Sequence, residues 1–533
     1  MTSIPVLIAG AGPVGLTLAA ELAWRGVASL VVDPQVEVHP HPRAISIGVR
    51  TMEHYRRLGL DQAVIDAGVP RDRALDVVYV TRMLEREIFR FRIPSIADLD
   101  ARRDALAREI PEIAASPYYK CWTAQSPLEK MLRAHARSRK AIDLRLGWRV
   151  ETFTERDATV EVRIADESGR TETVTADYLV GCDGANSTVR KTLDIPLEGR
   201  GTLGEACGLY FRAKGLDARL GAARGVMYWI LAPGSGGVIY TIDGGDEFVF
   251  NRYFAVGEAA HMGDPVAQIR SAIGADIDVQ ILSVQNWLPR QLVAKSYGTR
   301  RVFLAGDACH LFVPTGGFGM NTGVGDAVDL AWKIAALRDG WGGRNLLSSY
   351  EAERRPIGEF NTREAADNYA KSGDIYAVPI DQVAKLLPPK IKHFAPIGVH
   401  LGYRYEGSPL IVPDGTKAPK METASYTPTA RPSHRAPHAW MTDAPSPDGL
   451  RRTGGRSTLD LFGRGFILLR FGRDAPVAEF PGLPLTIVDI DDPKIAALYE
   501  RRLVLVRPDG HVAWRGDERP RDPLAVADRV RGA

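Results

Sequence analysis

Three stretches have the residue types and spacing to hold a ligand by backbone and carboxylate. In "VLIAGAGPVGLTLAAELAWRGVASLVVD", Gly10, Gly12 and Gly15 form G-x-G-x-x-G, with Pro13 among them. The first glycine permits a tight turn, the second lets backbone approach a pyrophosphate, and the third lets a helix pack closely on a strand. Asp33 closes the next apolar run, where an acid accepts ribose hydroxyls. An acid there disfavours a 2′-phosphate, so the adenosine expected at this point belongs to FAD or NAD rather than NADP. In "RVFLAGDACHLFVPTGGFGMNTGVGDAVDLAWKIAAL", Gly306-Asp307 places a carboxylate at a strand end, suited to bonding a polyol. In "DYLVGCDGANSTVRKTL", Asp183-Gly184 makes a turn ahead of a short helix.

Regular elements must position these groups. Residues 6–9 and 28–32 read as strands flanking a Leu- and Ala-rich helix that Gly26 ends. The helix N-terminus faces phosphate with free N–H groups and a favourable dipole. Residues 178–180 and 302–305 read as further strands. A glycine-rich loop, 314–319, then leads into a helix with Val324, Ala327, Val328, Ala331, Ile334 and Ala335 at helical spacing. That helix end aims a positive dipole at the ligand. A reduced flavin, anionic around N1 and the C2 carbonyl, is stabilised by such an end.

The chain of 533 residues is too long for one core, so two or three domains are expected. Its formal charge of +3 is too balanced to suggest nucleic acid or an anionic membrane as partner. The four cysteines, Cys121, Cys182, Cys207 and Cys309, form no CxxC pair, which points to a reducing cytoplasm. No apolar run approaches membrane-spanning length, and the N-terminus lacks a basic leader region.

Other chemistries find little support. The pairs His39/His41 and His434/His438 sit among prolines, not on a helix or strand that would aim the rings together, so no metal site is expected. There is no G-x-S-x-G nucleophile elbow. No CxxxxC follows the first βαβ unit, which argues against a disulfide reductase. A bound cofactor must carry the reaction.

The three motifs, in this order, resemble those of the single-component FAD-dependent aromatic hydroxylases, the p-hydroxybenzoate and phenol hydroxylase group, over about two-thirds of the chain. The resemblance implies that Gly10, Gly12, Pro13, Gly15 and Asp33 hold the adenosine diphosphate. It places Asp183, Gly184 and Arg190 near FAD and a transient NADPH or NADH, and Asp307 on the ribityl chain. Pro314 and the run from Gly316 through Gly317, Phe318, Gly319 and Met320 to Asn321 would line the flavin ring. Arg43 and Gln125 match positions beside the cofactor, and Arg50 sits on the helix after Arg43. Cys309, where alanine is usual, and Phe318, where glutamine is frequent, depart from the pattern and should alter the flavin pocket. The implied reaction is hydroxylation of a phenol: NAD(P)H reduces FAD, O2 adds at C4a, and the hydroperoxide delivers oxygen to the ring.

The expected fold is α/β: a Rossmann-like FAD domain (1–75, 100–190, 291–384) interleaved with an antiparallel-sheet substrate domain (76–99, 191–290). A linker (385–432) and a thioredoxin-like C-terminal domain (433–533) without CxxC follow. Alternating runs such as "ACGLYFRAKG" and "EFVFNRYFAV" define the substrate sheet. Tyr210, Tyr228, Tyr240 and Tyr253 are candidates to bond a phenol, although strands favour tyrosine anyway. Arg212 and Arg252 could hold an acidic substituent. His310, just past Asp307, is the candidate catalytic histidine, against a structural role capping the loop. Expected partners are a phenolic substrate and O2, with a homodimer left open. Alternatives are a polycyclic polyketide or antibiotic substrate, a flavin oxidase without an NAD(P)H step, and a non-enzymatic FAD scaffold.

Overall fold

The computed structural model describes residues 2–441 and 455–533. Its first layer is a seven-stranded sheet. β1 (Thr2–Ala9) runs parallel to β2 (Ser29–Asp33) on one side and to Thr171–Gly181 on the other. Ile142–Leu146 continues the parallel run beyond β2, and Val302–Leu304 pairs in parallel with Thr171–Gly181. Val6, Leu7, Ile8, Val31, Leu179 and Leu304 are all 0% exposed, as unbroken apolar runs require when both faces of a sheet are covered. The helices are α1 (Pro13–Trp24), Gln125–Arg137 and Phe318–Arg338.

The second sheet has seven strands, in the order 280–287, 205–212, 247–254, 237–241, 227–230, 77–80, 87–91. Its pairings are antiparallel save one: Met227–Ile230 lies parallel to Val77–Val80. Two faces follow from the period of two. The outer face, with Leu209, Phe211, Tyr228, Ile230, Phe248 and Phe250, packs under the helix Pro265–Ile273. The inner face, with Trp229, Val238, Tyr240 and Val249, meets Trp122, whose short strand pairs with Ser46–Ile47, and Ala124, which leads into the helix Gln125–Arg137.

The expected linker is not a solvated tether. Ile397, Val399, Leu401 and Tyr405 are at most 3% exposed, and the segment is packed between its neighbours. The C-terminal unit has a four-stranded sheet in the order 485–490, 466–471, 503–506, 512–516, with one parallel and two antiparallel pairings. It carries the helices Pro493–Tyr499 and Pro523–Arg531. Among the described residues, no helix is long and apolar enough to cross a membrane.

Candidate functional site

Registry brings the three motifs together. Ala9 pairs with Gly181, and Gly181 pairs with Leu304, so the turns after these strands leave one sheet edge side by side. The crowding is tight. A Cβ on Gly10, at φ +105°, would lie 2.3 Å from the Cys182 carbonyl oxygen, and one on Gly15 would lie 2.0 Å from the Gly10 oxygen. Gly306, at φ +64°, faces Val14 of α1. Only glycine fits such contacts.

Gly12 caps α1 with no side-chain hydrogen bond, and Pro13 starts the helix. The first N–H groups are therefore left for an anion. Asp33 accepts from the Ala11 N–H at 2.6 Å and from the Gln35 N–H at 2.7 Å, which ties the acid to the glycine turn. Arg43 is exposed and makes no hydrogen bond or ion pair among the described residues. Gln125 starts its helix and donates to Glu129 at 3.4 Å. Glu129 was not foreseen: it is 6% exposed, and its Oε1 lies 4.0 Å from the Cβ position of Gly12. Burial raises its carboxyl above the ordinary value despite Arg133. Only its helical position, one turn after Gln125, hinted at it.

Asp183 accepts from the Thr188 and Val189 N–H groups at 2.7 and 3.1 Å, while its buried Oδ1 has no partner. Arg190 donates to the Ala185 carbonyl at 3.2 Å and to the Ala308 carbonyl at 3.0 Å, clamping the second turn to the third. Asp307 is exposed at the sheet edge. The walls around it nevertheless desolvate the carboxyl and raise it above its ordinary value, against the pull of His310 and Arg43.

His310 does not face the opening. It is 0% exposed, with Nε2 2.8 Å from Asp326 Oδ2. Asp326 also accepts from Arg354 Nε at 2.8 Å and from the Gly306 N–H at 3.1 Å. The candidate catalytic histidine is thus a buried support for the loop, since its strand turns the ring into the core. Cys309, His310 and Asp326 do bring potential metal-ligand atoms within 4.8 Å of one another. Arg354 and the Gly306 N–H already occupy that carboxylate, so the trio reads as a hydrogen-bonded network. His39 and His41 bond to each other through the His41 N–H at 3.1 Å, and His438 bonds Ser457 at 2.7 Å.

The ring-lining loop follows. Gly316 and Gly317 have φ of +89° and +66°, and Gly317 caps the helix Phe318–Arg338 without a side-chain bond. Pro314 is exposed, Gly319 and Met320 are half-buried, and Phe318 is buried against Val313, Ala365 and Val399. The Asn321 side chain is fully engaged. It accepts from the Gly48 N–H at 2.7 Å and the Thr51 hydroxyl at 2.8 Å, and donates to the Ser46 and Gly317 carbonyls. Its part is to lock the loop to α2 (Val49–Leu58), which leaves only backbone for a ligand. Arg50 is likewise taken: it bonds Glu53 at 2.8 Å and the Asp509 carbonyl at 2.6 Å.

Residues 3–365 match the FAD binding domain family, and residues 429–533 match the aromatic-ring hydroxylase C-terminal family. The chain belongs to the FAD-dependent aromatic-ring hydroxylases. It is 33% identical to a putative polyketide hydroxylase of Streptomyces halstedii, covering 97% of this chain and 94% of that one. It is 32% identical to 4-methyl-5-nitrocatechol 5-monooxygenase of a Burkholderia species, covering 99% and 97%. Among solved structures, the rebeccamycin biosynthetic enzyme RebC with reduced flavin superposes with a TM-score of 0.87 at 35% identity, over 100% of this chain and 99% of that one. This hydroxylase is an oxidoreductase that uses FAD. Its own geometry fits the group: glycines where a Cβ would clash, an uncapped helix end, an unpartnered cation and an orphaned buried carboxylate oxygen.

In this hydroxylase the sheet's inner face holds the remaining candidates. Tyr240 accepts from Asn251 Nδ2 at 2.8 Å and keeps its own proton for another acceptor. Asn251 Oδ1 and Trp229 Nε1 are buried and unpartnered. Tyr210 donates to Glu247, and Tyr253 packs edge-on to Trp287 and Tyr369. Tyr228 does not belong to this set. Strand alternation turns it to the outer face, where it is 1% exposed and its hydroxyl accepts from the Gly225 N–H at 2.6 Å. Arg252 also turns outward, onto Gln268, and Arg212 pairs with Glu247 at an exposed edge. A concavity of about 750 Å³ lies elsewhere, lined by Phe303 and Tyr350 among others. None of its lining residues belongs to the three glycine-bearing turns.

Proposed function

We propose that this hydroxylase is an NAD(P)H-consuming monooxygenase that inserts one oxygen of O2 into a phenolic ring. The observation that carries the reading is the register Ala9–Gly181–Leu304, which sets three ligand-holding turns on one sheet edge. Bound FAD would supply the chemistry that the side chains cannot: accepting electrons from NAD(P)H and activating O2 for transfer to the ring.

The chain's residues hold and orient. The first N–H groups of α1 and Arg43 meet the pyrophosphate, Asp33 and Glu129 flank the ribose, and Asp307 bonds the ribityl chain. The 317–321 backbone lines the ring, where the helix N-terminus favours negative charge. Tyr240 donates to the phenol oxygen, and the aromatic inner face keeps water off the reacting atoms. A phenol carried on a polyketide is the second reading, favoured by the relative named as a polyketide hydroxylase. The C-terminal sheet, two parallel strands beside a hairpin, supports a thioredoxin-like unit without a redox pair. The test is NAD(P)H oxidation by FAD-loaded protein against a panel of simple phenols and polycyclic phenols. Substrate-dependent oxidation with a product 16 mass units heavier supports the reading, and oxidation that yields only hydrogen peroxide with every compound opposes it.

A further inference from the structure

A buried polar chain connects the C-terminal unit to the turn that carries Asp307. It starts where Arg507 donates to both Glu353 oxygens, at 2.5 and 2.9 Å. The Arg507 guanidinium also lies 5.1 Å from the ring of Tyr405, and the His511 ring lies 4.2 Å from the same ring. The Tyr405 hydroxyl accepts from Arg354 Nη1 at 3.4 Å. Arg354, next to Glu353 on the helix Ser349–Ser372, donates to Asp326 Oδ1 at 2.8 Å and to the Thr322 carbonyl at 3.0 Å. Asp326 takes the Gly306 N–H at 3.1 Å, one residue before Asp307.

Every side chain in this chain of contacts is at most 3% exposed. Burial alone would raise the Asp326 carboxyl, but His310 and Arg354 outweigh it and hold it below its ordinary value. The carboxylate is therefore an anionic acceptor, the stronger kind of partner for an N–H group. The contact matters for geometry. Gly306 sits at φ +64°, pressed against Val14 and Gly323, so the direction in which Asp307 projects follows from how the Gly306 N–H is held.

We propose that the C-terminal unit is a positioning device for the ribityl-binding turn. Arg507, His511 and Tyr405 fix the Arg354 guanidinium, Arg354 fixes Asp326, and Asp326 fixes Gly306 and hence Asp307. Tyr405, Arg354 and Asp326 are positioning residues, since none is placed against the cofactor. The proposal rests on Asp307 being the polyol partner of FAD.

The experiment strips FAD from the full-length protein and titrates it back, following flavin fluorescence and the visible absorption bands. Asp307→Ala tests the underlying reading: an unaltered FAD affinity there removes Asp307 from the site. Given weakened binding in that variant, Arg354→Lys is expected to raise the FAD Kd by about tenfold or more, because a charge-assisted fork is lost. Tyr405→Phe deletes one hydroxyl and keeps the ring, and is expected to raise it about threefold. Should Arg354→Lys fail to fold, Tyr405→Phe decides alone. Arg515→Ala separates positioning from general destabilisation, because it breaks the C-terminal pairs with Asp414 and Glu500 without touching the chain. It is expected to lower the Tm and leave the FAD Kd unchanged. Folded Tyr405→Phe protein with wild-type FAD affinity and spectrum overturns the proposal, as does an Arg515→Ala variant that loses FAD to the same degree.

Discussion

Arg435 and Glu53, 382 positions apart, form a buried bidentate ion pair, with Nε to Oε2 at 2.9 Å and Nη2 to Oε1 at 2.5 Å. Their side chains are 1% and 2% exposed. Arg50 adds a bond to the same carboxylate at 2.8 Å and Ser116 adds another at 2.7 Å. Burial would raise the Glu53 carboxyl, but Arg435 and Arg50 bring it down to about 2. The pair joins the chain's C-terminal region to α2, and so to the Asn321-locked loop.

Breaking it by removing one partner should be costly, because a buried charge is left short of a cation. Arg435→Met is expected to lose about 3–5 kcal/mol. Urea denaturation of the FAD-loaded protein checks this. A midpoint equal to that of the wild type would show that the pair does not couple the two regions.

Much of the cofactor half was legible because its signals are local. Gly10, Gly12 and Gly15 are marked by their spacing within one turn, although the contacts that crowd Gly10 and Gly306 come from Cys182 and Val14. The substrate half was less so. Strand alternation separates Tyr228 from Tyr240, but which parity faces the cofactor depends on a neighbouring layer that no short window contains. Asn321, Arg50 and His310 carry motif-like positions, yet their side chains are consumed by partners distant in sequence. Glu129, Asp326 and Arg354 act through tertiary contacts, and a lone acid or arginine on a helix gives no warning of them.

Stability should fall on the acid side well before the carboxylates titrate. Burial lowers His434 and His511 to about 4 and His438 to about 3, against an ordinary 6.5. Their folded pKa values lie below the unfolded ones, so between about 4 and 6.5 the unfolded chain binds more protons. The contribution is whole above about 6.5 and is lost as pH falls toward 4. Glu53, also depressed, adds a loss below its ordinary 4.5. The expected outcome is a Tm that declines steadily from pH 7 to pH 5. A flat profile over that span would contradict the burial of neutral histidines.

The cysteines should be chemically silent. Cys121, Cys207 and Cys309 are buried, all four are free thiols, and burial raises the pKa of each, away from the reactive thiolate. A variant with all four replaced by alanine or serine is expected to keep coupled hydroxylation. A folded, FAD-loaded variant without activity would mean that a thiol takes part in turnover.

The central claim is oxygen insertion into a phenolic ring with O2 as the source. Turnover under ¹⁸O2, with NAD(P)H and the phenol that stimulates its oxidation, followed by product mass spectrometry, tests it most directly. The account predicts one ¹⁸O atom in each new ring hydroxyl and one NAD(P)H consumed per product. Unlabelled product made in ¹⁸O2, or an oxidised product with no added oxygen, would contradict it.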